Sequence, residues 1–408
     1  MTAPAGCPAQ VVEVDVDDLV SVPAIRSGRR YRHALVLVRA GGRPVGTVAV
    51  AVPPDGLPAP ALGQIIRDEL GDAATRRTEP PAGPPPLDPG RSLSVVVATR
   101  ERPERLSECL DALLAAERPP RTIVVVDNVP VTDATARTVA ARADSRIRYL
   151  VERRPGAASA RATGLASVDT ELVAFIDDDV LLDPGWPAAV GSAFALGGDV
   201  LAVTTPILPR ELETWPQLWL EQFGGFNKGF ERRVHDLAAA PMDDPLYPWS
   251  PGVYGSGAAM AFRTRPLLAL GGFDPRLTFG GEDLDLFLRV VVSGHRLVYE
   301  PGAVAWHLHP ADPAALRRTM FIYGAGLSGL MTKWALTSRA AAAGIARRLP
   351  AALRLALDPR SRKNAGKPAD YPRELTRIEL EGLLAGPFLF ARAALAERLR
   401  RRGSAASA

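Results

Sequence analysis

Cysteines and long apolar runs are scarce in this chain of 408 residues. Cys7 and Cys109 are its only cysteines, too few for a disulfide framework or a cysteine metal site, and they fit a reducing compartment. No run of about 18 apolar residues is present, and the N-terminus lacks the basic, apolar and small-residue regions of a signal peptide. These absences predict a cytoplasmic protein, free or peripheral on the inner face of the cell membrane.

The composition is that of a globular protein with a basic balance. Hydrophobic residues make up 47% and charged residues 23% of the chain, so most of it is expected to fold. The net charge is +4, and arginines cluster toward the C-terminus, for example at 400–402. Such clusters indicate an anionic partner. Nucleic acid is not expected, because no metal-finger spacing, aromatic RNA-binding motif or basic groove pattern accompanies the charge.

Pattern changes along the chain divide it into four predicted segments. The first has alternating strand patterns and a Gly41–Gly42 hairpin turn, the second is rich in proline, the third alternates β and α, and the fourth is helical and basic. We therefore predict a small α+β domain over 1–77, an extended linker over 78–91, an α/β domain over 92–312 and a helical C-terminal region over 313–408.

Apolar strands in the third segment end in acidic residues. The strands are predicted over 94–98, 122–126 and 171–176, with Asp127 following the second and Asp177 to Asp179 following the third. Ligands of open α/β sheets bind at the carboxyl ends of strands. Cys109 falls among leucines at helical spacing, which predicts a core position. Asp127 suits a nucleobase N–H or a ribose hydroxyl, with an ordinary turn as the alternative.

The aspartate triplet offers hard oxygen ligands for Mg²⁺ or Mn²⁺. Adjacent carboxylates are costly unless a cation neutralises them or a proton is shared. Side chains alternate along an extended segment, so Asp177 and Asp179 are expected on one side and Asp178 on another. A solvated acidic turn, or a helix cap before Pro184, is the competing explanation.

Two further groups carry candidate chemistry. Asp283 lies at the start of a predicted helix over 282–293, after Gly280–Gly281, where it could deprotonate an acceptor hydroxyl, although helix capping explains an acid there equally well. His307 and His309 share one face of a predicted strand over 304–309. Neutral imidazole is a common metal ligand, and His307 is the preferred candidate, with a structural role as the alternative.

Aromatic residues concentrate between the two acidic groups. Sugar rings pack their C–H faces on aromatic rings, so this region is a candidate acceptor site, with Trp249 as its representative and core packing as the alternative. The set comprises Trp215, Trp219, Phe223, Phe226, Phe230, Tyr247, Trp249 and Tyr254.

Taken together, these motifs resemble the family 2 glycosyltransferases of the GT-A fold, in particular bacterial members with an N-terminal extension. The resemblance is carried by segments 94–103, 126–128, 156–161, 176–179 and 281–283. It implies a Rossmann-like nucleotide-sugar-binding domain with a mixed central sheet. The donor side would comprise Thr99, Arg100, Asp127, Arg161, Asp177 and Asp178. Asp179, with Asp177 and His307, would bind Mn²⁺ or Mg²⁺, while Glu282 would lie on the acceptor side and Asp283 would be the general base.

The resemblance implies an inverting transfer from a UDP-, GDP- or dTDP-sugar to a glycan, lipid-linked or small-molecule acceptor. Cell-surface glycan, glycolipid or secondary-metabolite glycosylation would fit. A noncatalytic nucleotide-sugar or glycan-binding scaffold of the same fold is the main alternative, and a sugar-phosphate nucleotidyltransferase is a lesser one, because residues 99–103 lack its glycine-rich loop.

Basic helical sequence near the C-terminus suggests contact with an anionic bilayer, with a solvated helical cap as the alternative. Its charges include Arg347, Arg348, Arg354, Arg360, Arg362 and Lys363.

Overall fold

A computed structural model describes residues 6–18, 31–74, 93–224, 226–238, 244–361, 363–365 and 367–406. The predicted linker over 78–91 and Arg362 lie outside these described residues. The strands are β1 Ala9–Asp15, β2 His33–Ala40, β3 Arg43–Ala51, β4 Leu93–Thr99, β5 Thr122–Asn128, β6 Ile147–Glu152, β7 Leu172–Asp177, β8 Val180–Leu182, β9 Val200–Thr204, β10 Ile207–Pro209, β11 Arg233–His235, β12 Ala259–Arg263, β13 Arg296–Tyr299 and β14 Ala305–His307. The helices are α1 Ala59–Leu70, α2 Pro103–Leu114, α3 Ala134–Ala140, α4 Ala157–Ala166, α5 Trp186–Phe194, α6 Trp215–Phe223, α7 Thr264–Ala269, α8 Glu282–Val292, α9 Pro313–Thr337, α10 Arg339–Leu357 and α11 Arg373–Ala406.

A mixed sheet of eight strands forms the centre of the molecule, in the order β11-β13-β9-β12-β7-β4-β5-β6. Strands β7, β4, β5 and β6 are parallel, and β12 runs antiparallel between β7 and β9. The parallel strands end at one edge of the sheet, which brings Thr99, Asp127 and Asp177 to that edge. The sequence prediction of acids at these strand ends is confirmed.

The sheet is buried on both faces, which explains why its strands are continuous apolar runs. Alternate residues of β4 enter different cores: Val95 and Val97 join one cluster with α2 and α5, while Val96 joins the other with α4 and α8. Cys109 is fully buried in the first cluster, as predicted. Each large apolar side chain buried in this way contributes about 1.5–3 kcal/mol.

The N-terminal segment forms its own three-stranded sheet. Strand β1 is parallel to β2, and β2 forms the predicted hairpin with β3. Gly41 and Gly42 at the turn both have positive φ, which a tight hairpin turn requires and glycine adopts without strain. The sheet packs beside the larger domain through the Ala9 N–H bond to the Leu212 carbonyl and an ion pair between Arg39 and Asp183.

A third, small sheet has the order β10-β14-β8. Residues 304–309 were predicted as one strand, but only Ala305–His307 is extended, and it pairs outside the central sheet. Strand β14 is antiparallel to β8, which begins directly after the aspartate triplet. This pairing brings two segments that are distant in sequence into contact.

The C-terminal region is helical, as predicted. Helices α9 and α11 approach so closely that a Cβ on Gly324 would lie 2.0 Å from the Glu379 carbonyl oxygen, and one on Gly382 would lie 2.2 Å from that of Phe321. This contact fixes how α11 is rotated on the domain. In the part of the chain that the structure describes, no helix combines the length and apolar character needed to cross a bilayer.

Candidate active site

Asp177 and Asp179 line one large cavity, while Asp178 faces away from it. Asp178 is buried, accepts a hydrogen bond of 2.7 Å from the Thr99 hydroxyl, and pairs with Arg102 at 3.1 Å. Burial, together with neighbouring Asp179, raises the pKa of Asp178 to about 6. The predicted alternation of side chains is therefore confirmed, and Thr99 and Asp178 act from behind the cavity wall.

The side chains of Asp179 and His307 are in contact because of the small sheet. His307 pairs with Val180 across β14 and β8, and the Leu308 N–H donates to the Asp179 carbonyl. His307 Nε2 consequently lies 3.5 Å from Asp179 Oδ1. Burial lowers the pKa of His307 to about 4, although Asp179 opposes this shift, so the imidazole is neutral at pH 7.

His307 is the first member of a buried chain of polar contacts. Its Nδ1 lies 2.7 Å from Nδ1 of His309, and Nε2 of His309 lies 3.1 Å from a Glu221 carboxylate oxygen. His309 is fully buried, and the Phe226 ring packs against both imidazoles with centroid distances of 5.4 Å. The two histidines therefore share one face, as the sequence predicted.

Arg161 joins the two acidic groups. Its guanidinium donates to Asp177 Oδ1 at 2.5 Å and to Glu282 Oε1 at 2.8 Å. Burial alone would lower the pKa of Arg161, but the two carboxylates outweigh burial and raise it. Burial raises the pKa of Glu282, with Arg161 opposing this shift. Arg161 thus holds the start of α8 against the end of β7.

Asp283 lies in the first turn of α8, beside this ion pair. Its Oδ2 accepts the Gly257 N–H at 2.8 Å, and the Gly257 carbonyl accepts a bond from Arg161 at 3.4 Å. A Cβ on Gly257 would lie 2.5 Å from the Asp283 carboxylate, so only glycine fits there. Within the described residues, the carboxylate bonds to this neighbouring loop rather than to its own helix. That contact does not match simple helix capping.

Gly281 positions Asp283 and provides a test of that positioning. It has φ +84°, and a Cβ there would lie 2.7 Å from the Gly326 carbonyl oxygen, whereas Gly294 at the other end of α8 has φ +81° and open space. Gly294→Ala is expected to cost about 1–2 kcal/mol from the left-handed backbone alone. Gly281→Ala should cost about 1–3 kcal/mol more from the clash and lower the turnover rate as well.

Thermal unfolding and steady-state rates of the two alanine variants would check this expectation. Equal losses of stability and activity in Gly281→Ala and Gly294→Ala would show that the contact with Gly326 has no role in placing Asp283.

The cavity has a volume of about 1670 Å³, which exceeds the roughly 300–1,000 Å³ of common ligand pockets. Its wall combines charged and apolar side chains, including Arg161, Asp177, Asp179, Glu282, Asp283, His307, Trp249, Met331, Leu349, Leu353 and Leu384. Trp249 packs edge-on against Trp334 at 5.4 Å. The cavity is therefore large enough for two ligands, one of them partly apolar.

The aromatic prediction is only partly met. Trp249, Phe223 and Phe226 line the cavity. The prediction of an acceptor contact is wrong for Trp219, Tyr247 and Tyr254. These side chains lie in the core and are 0%, 3% and 0% exposed. Trp215 and Phe230 also pack in apolar clusters. Large aromatic surfaces gain most from burial, which explains this outcome.

Besides Thr99 and Asp178, two more predicted donor residues lie outside the cavity wall. Arg100 is exposed to solvent, and Asp127 is fully buried, accepting a bond of 2.9 Å from the Tyr149 hydroxyl. Burial raises the pKa of Asp127, and its Oδ1 makes no hydrogen bond within the described residues. In this structure the Asp127 carboxylate therefore lies in the core and is not exposed to the cavity.

Arg102 and Arg105 are cavity residues that the sequence interpretation missed. They lie 3.2 and 3.4 Å from Asp179 Oδ2, at the start of α2. The sequence contains a feature that could have identified them. Helix α2 begins shortly after β4, so its first turn lies at the same strand ends as the aspartate triplet.

Asp179 and His307 are adjacent groups that could bind a cation. Among the described residues, no three His, Cys, Asp or Glu side chains converge as a metal-binding group. Asp179 and neutral His307 nevertheless point a carboxylate oxygen and a ring nitrogen at one another. Mg²⁺ is commonly held by one or two protein ligands together with substrate phosphates and water. The residues therefore fit a cation whose remaining ligands come from a bound substrate.

Residues 89–322 match the model of the family described as "Glycosyltransferase like family 2". The match covers more than half of the chain, so the chain belongs to this family. The family assignment predicted from the motifs is confirmed. The mixed eight-stranded sheet and the helical C-terminal region agree with the GT-A fold class predicted from the sequence.

Relatives in the same family are named glycosyltransferases. The pre-mycofactocin glycosyltransferase of Mycobacterium tuberculosis is 30% identical over 254 residues, which cover 60% of this chain and 49% of that protein. An uncharacterized glycosyltransferase of Mycobacterium bovis is 32% identical over 215 residues, which cover 51% of this chain and 83% of that protein. The chain thus spans about half the length of the first of these curated relatives.

Among solved structures, the mannosyltransferase PcManGT from Pyrobaculum calidifontis, in complex with GDP-Man and Mn²⁺, superposes with a TM-score of 0.49. The two chains are 20% identical, and the superposition covers 78% of this chain and 90% of that one.

Proposed function

We propose that the protein is an inverting glycosyltransferase that moves a sugar from a nucleoside diphosphate to an acceptor hydroxyl and depends on a divalent cation. The observation that carries this proposal is that the Asp179–His307 pair and Asp283 line the same cavity. The cavity thereby contains both a site for a charged leaving group, at Asp179 and His307, and a carboxylate base, Asp283. The cavity volume of about 1670 Å³ suits a donor and an acceptor together.

The donor diphosphate would bind where cationic side chains meet Asp179. Arg102 and Arg105 carry permanent positive charge, and guanidinium groups bind phosphate oxygens well. In this structure they pair with Asp179. A UDP-, GDP- or dTDP-sugar fits this chemistry equally, and Asp127, at the same strand ends as Thr99, would contact the nucleoside part.

Asp179 and His307 would hold Mn²⁺ or Mg²⁺ together with donor phosphate oxygens, and Asp177 would contribute a donor contact or a further ligand beside Arg161. When bound, the cation stabilises the negative charge that develops on the leaving diphosphate. His307 suits this role because burial keeps it neutral, which leaves a ring nitrogen able to bind a metal.

Asp283 would act as the base. The Gly257 N–H donates a hydrogen bond to Oδ2 of Asp283, and within the described residues Oδ1 of Asp283 accepts no hydrogen bond. As the acceptor oxygen forms its bond to the anomeric carbon, its proton passes to Asp283, and the bond from that carbon to the diphosphate oxygen breaks. One displacement of this kind inverts the anomeric configuration and needs no covalent enzyme intermediate. Glu282 and Trp249, in the same cavity wall, are proposed as acceptor-side residues.

The decisive experiment is a nucleoside diphosphate release assay with a panel of nucleotide sugars, with and without Mn²⁺, in the presence of glycan, lipid-linked and small hydroxyl acceptors. Release that depends on both cation and acceptor supports transfer, and the anomeric configuration of the product tests inversion. Tight donor binding without release, for every acceptor tried, would instead favour a noncatalytic scaffold.

A further inference from the structure

Helix α11 turns an apolar face to solvent. Its close contact with α9 at Gly382 and Gly386 fixes its rotation, so the opposite side must face outward. On that side Leu384 is 75% and Phe388 is 78% exposed, and Leu395 and Leu399 follow at 57% and 59%. These spacings place all four side chains on one face over about 22 Å of helix.

Helix α10 carries a second apolar row. Leu349, Leu353 and Leu357 are spaced four residues apart and are 53%, 51% and 59% exposed. Isolated exposed leucines are ordinary on protein surfaces, but seven large apolar side chains in two regular rows indicate an interaction surface. We call the rows on α10 and α11 the C-terminal apolar surface.

Positive charge accompanies both rows. Arg347 and Arg354 are exposed on α10, and Arg392, Arg398 and Arg400 are exposed on α11. From residue 385 to residue 402 the only acid is Glu397, which is buried. Arginines beside an apolar face are typical of helices that lie in the interface of an anionic membrane.

We propose that the C-terminal apolar surface docks on an anionic bilayer. Leu349, Leu353 and Leu384 belong both to this surface and to the cavity wall, so the cavity opens beside the membrane. An acceptor hydroxyl carried by a membrane lipid would then reach Asp283 from the bilayer. A second copy of the chain is a poorer occupant, because a twofold contact would bring like-charged arginine rows together.

Co-sedimentation of the full chain with vesicles tests this proposal without any substrate. The full chain should sediment with phosphatidylglycerol-containing vesicles and far less with pure phosphatidylcholine. Phe388→Glu combined with Leu395→Glu should lower the partition coefficient at least tenfold, because each change replaces an exposed apolar side chain that would contact the bilayer with a charged one. Neither residue lines the cavity. Arg392→Gln and Arg398→Gln should each weaken binding about fivefold.

Val131→Glu is the matched control, because Val131 is 78% exposed but distant from both rows in the sequence and outside the cavity wall. It should sediment like the unmodified chain. A full chain that stays in the supernatant with both vesicle types would overturn the proposal. So would a dimer in solution that the double glutamate variant abolishes, because that result would identify a second copy as the occupant.

A separate observation concerns the buried chain from His307 to Glu221. With a carboxylate beside Nε2 of His309, that nitrogen carries a proton and Nδ1 of His309 accepts. The 2.7 Å contact between the two Nδ1 atoms then requires the proton to lie on His307 Nδ1. Nε2 of His307, which lies 3.5 Å from the Asp179 carboxylate, is then left with a lone pair. His307 Nε2 and Asp179 Oδ1 are then two electron-pair donors at close range, as two ligands of one metal ion would be.

We infer that His309 and Glu221 are positioning residues that fix His307 in its metal-binding tautomer. This inference rests on the proposed cation site. Mn²⁺ binding to the chain in the presence of saturating UDP, GDP or dTDP, measured by electron paramagnetic resonance, should weaken about 10- to 100-fold in His309→Leu. Glu221→Gln should weaken it less, because a glutamine oxygen still accepts the hydrogen bond.

His235→Leu is the control for loss of a buried histidine, since His235 is 7% exposed and outside the cavity wall. If the unmodified chain adds no Mn²⁺ binding to that of any of these nucleoside diphosphates alone, the proposed cation site fails. If the unmodified chain and His309→Leu bind Mn²⁺ equally, the cation site stands and the positioning role is wrong.

Discussion

Asp283→Asn is expected to lower kcat by about 10²–10⁴-fold, the usual contribution of a general base. An asparagine oxygen can still accept the Gly257 N–H that now binds Oδ2, so the fold and the start of α8 should be retained. Affinity for the donor should change little, because a base acts as the acceptor attacks rather than when the donor binds. Steady-state rates and donor binding, measured on the same preparation, separate these two effects.

Asp133→Asn serves as the control, since Asp133 is an exposed acid paired with Arg137 at 2.5 Å and does not line the cavity. It should retain full activity. A kcat for Asp283→Asn within about threefold of the unmodified chain would remove Asp283 from the base role and leave only its structural hydrogen bond with the Gly257 N–H.

Asp179→Asn is expected to abolish most cation-dependent turnover. A cation at this site would supply several kcal/mol to the leaving diphosphate, so kcat/KM should fall by about 10³-fold. Mn²⁺ affinity should fall as well, because a neutral amide replaces a charged ligand beside His307. Titration of activity with Mn²⁺, together with direct metal binding, would measure both losses.

Asp183→Asn is the matched control for that change. Asp183 lies in the same stretch of chain and forms an ion pair, but its partner is Arg39 of the N-terminal segment and it does not line the cavity. It should alter stability slightly and leave the Mn²⁺ dependence intact. Unchanged Mn²⁺ affinity in Asp179→Asn would place the cation elsewhere.

The central sheet could be predicted because its signals are local. β4, β5 and β7 are unbroken apolar runs, and each ends in a polar residue at the ligand-binding edge. The small sheet could not be predicted, because β8, β10 and β14 have three residues each, too few for a periodic pattern. The contact between His307 and Asp179 depends on that sheet, so sequence reasoning reached both residues but not their geometry.

The remaining discrepancies have physical causes of two kinds. The resemblance implied Arg100, which is exposed, whereas Arg102 and Arg105, after the turn into α2, line the cavity beside Asp179. Asp127 was placed correctly at a strand end, but its burial against Tyr149 follows from β6 pairing with β5, a contact that a single sequence does not contain. The arrangement of Arg161 between Asp177 and Glu282 likewise depends on tertiary packing.

The pairing of β14 with β8 has a consequence for how the protein matures. During synthesis the aspartate triplet leaves the ribosome long before His307 does, and domains assemble as the chain emerges. Until β14 arrives, Asp179 has no imidazole neighbour, and a nascent chain offers an incoming cation only carboxylates. If Asp179 and His307 form the proposed cation site, both ligands come together only once the α/β domain is complete, and Mn²⁺ affinity then reports finished assembly.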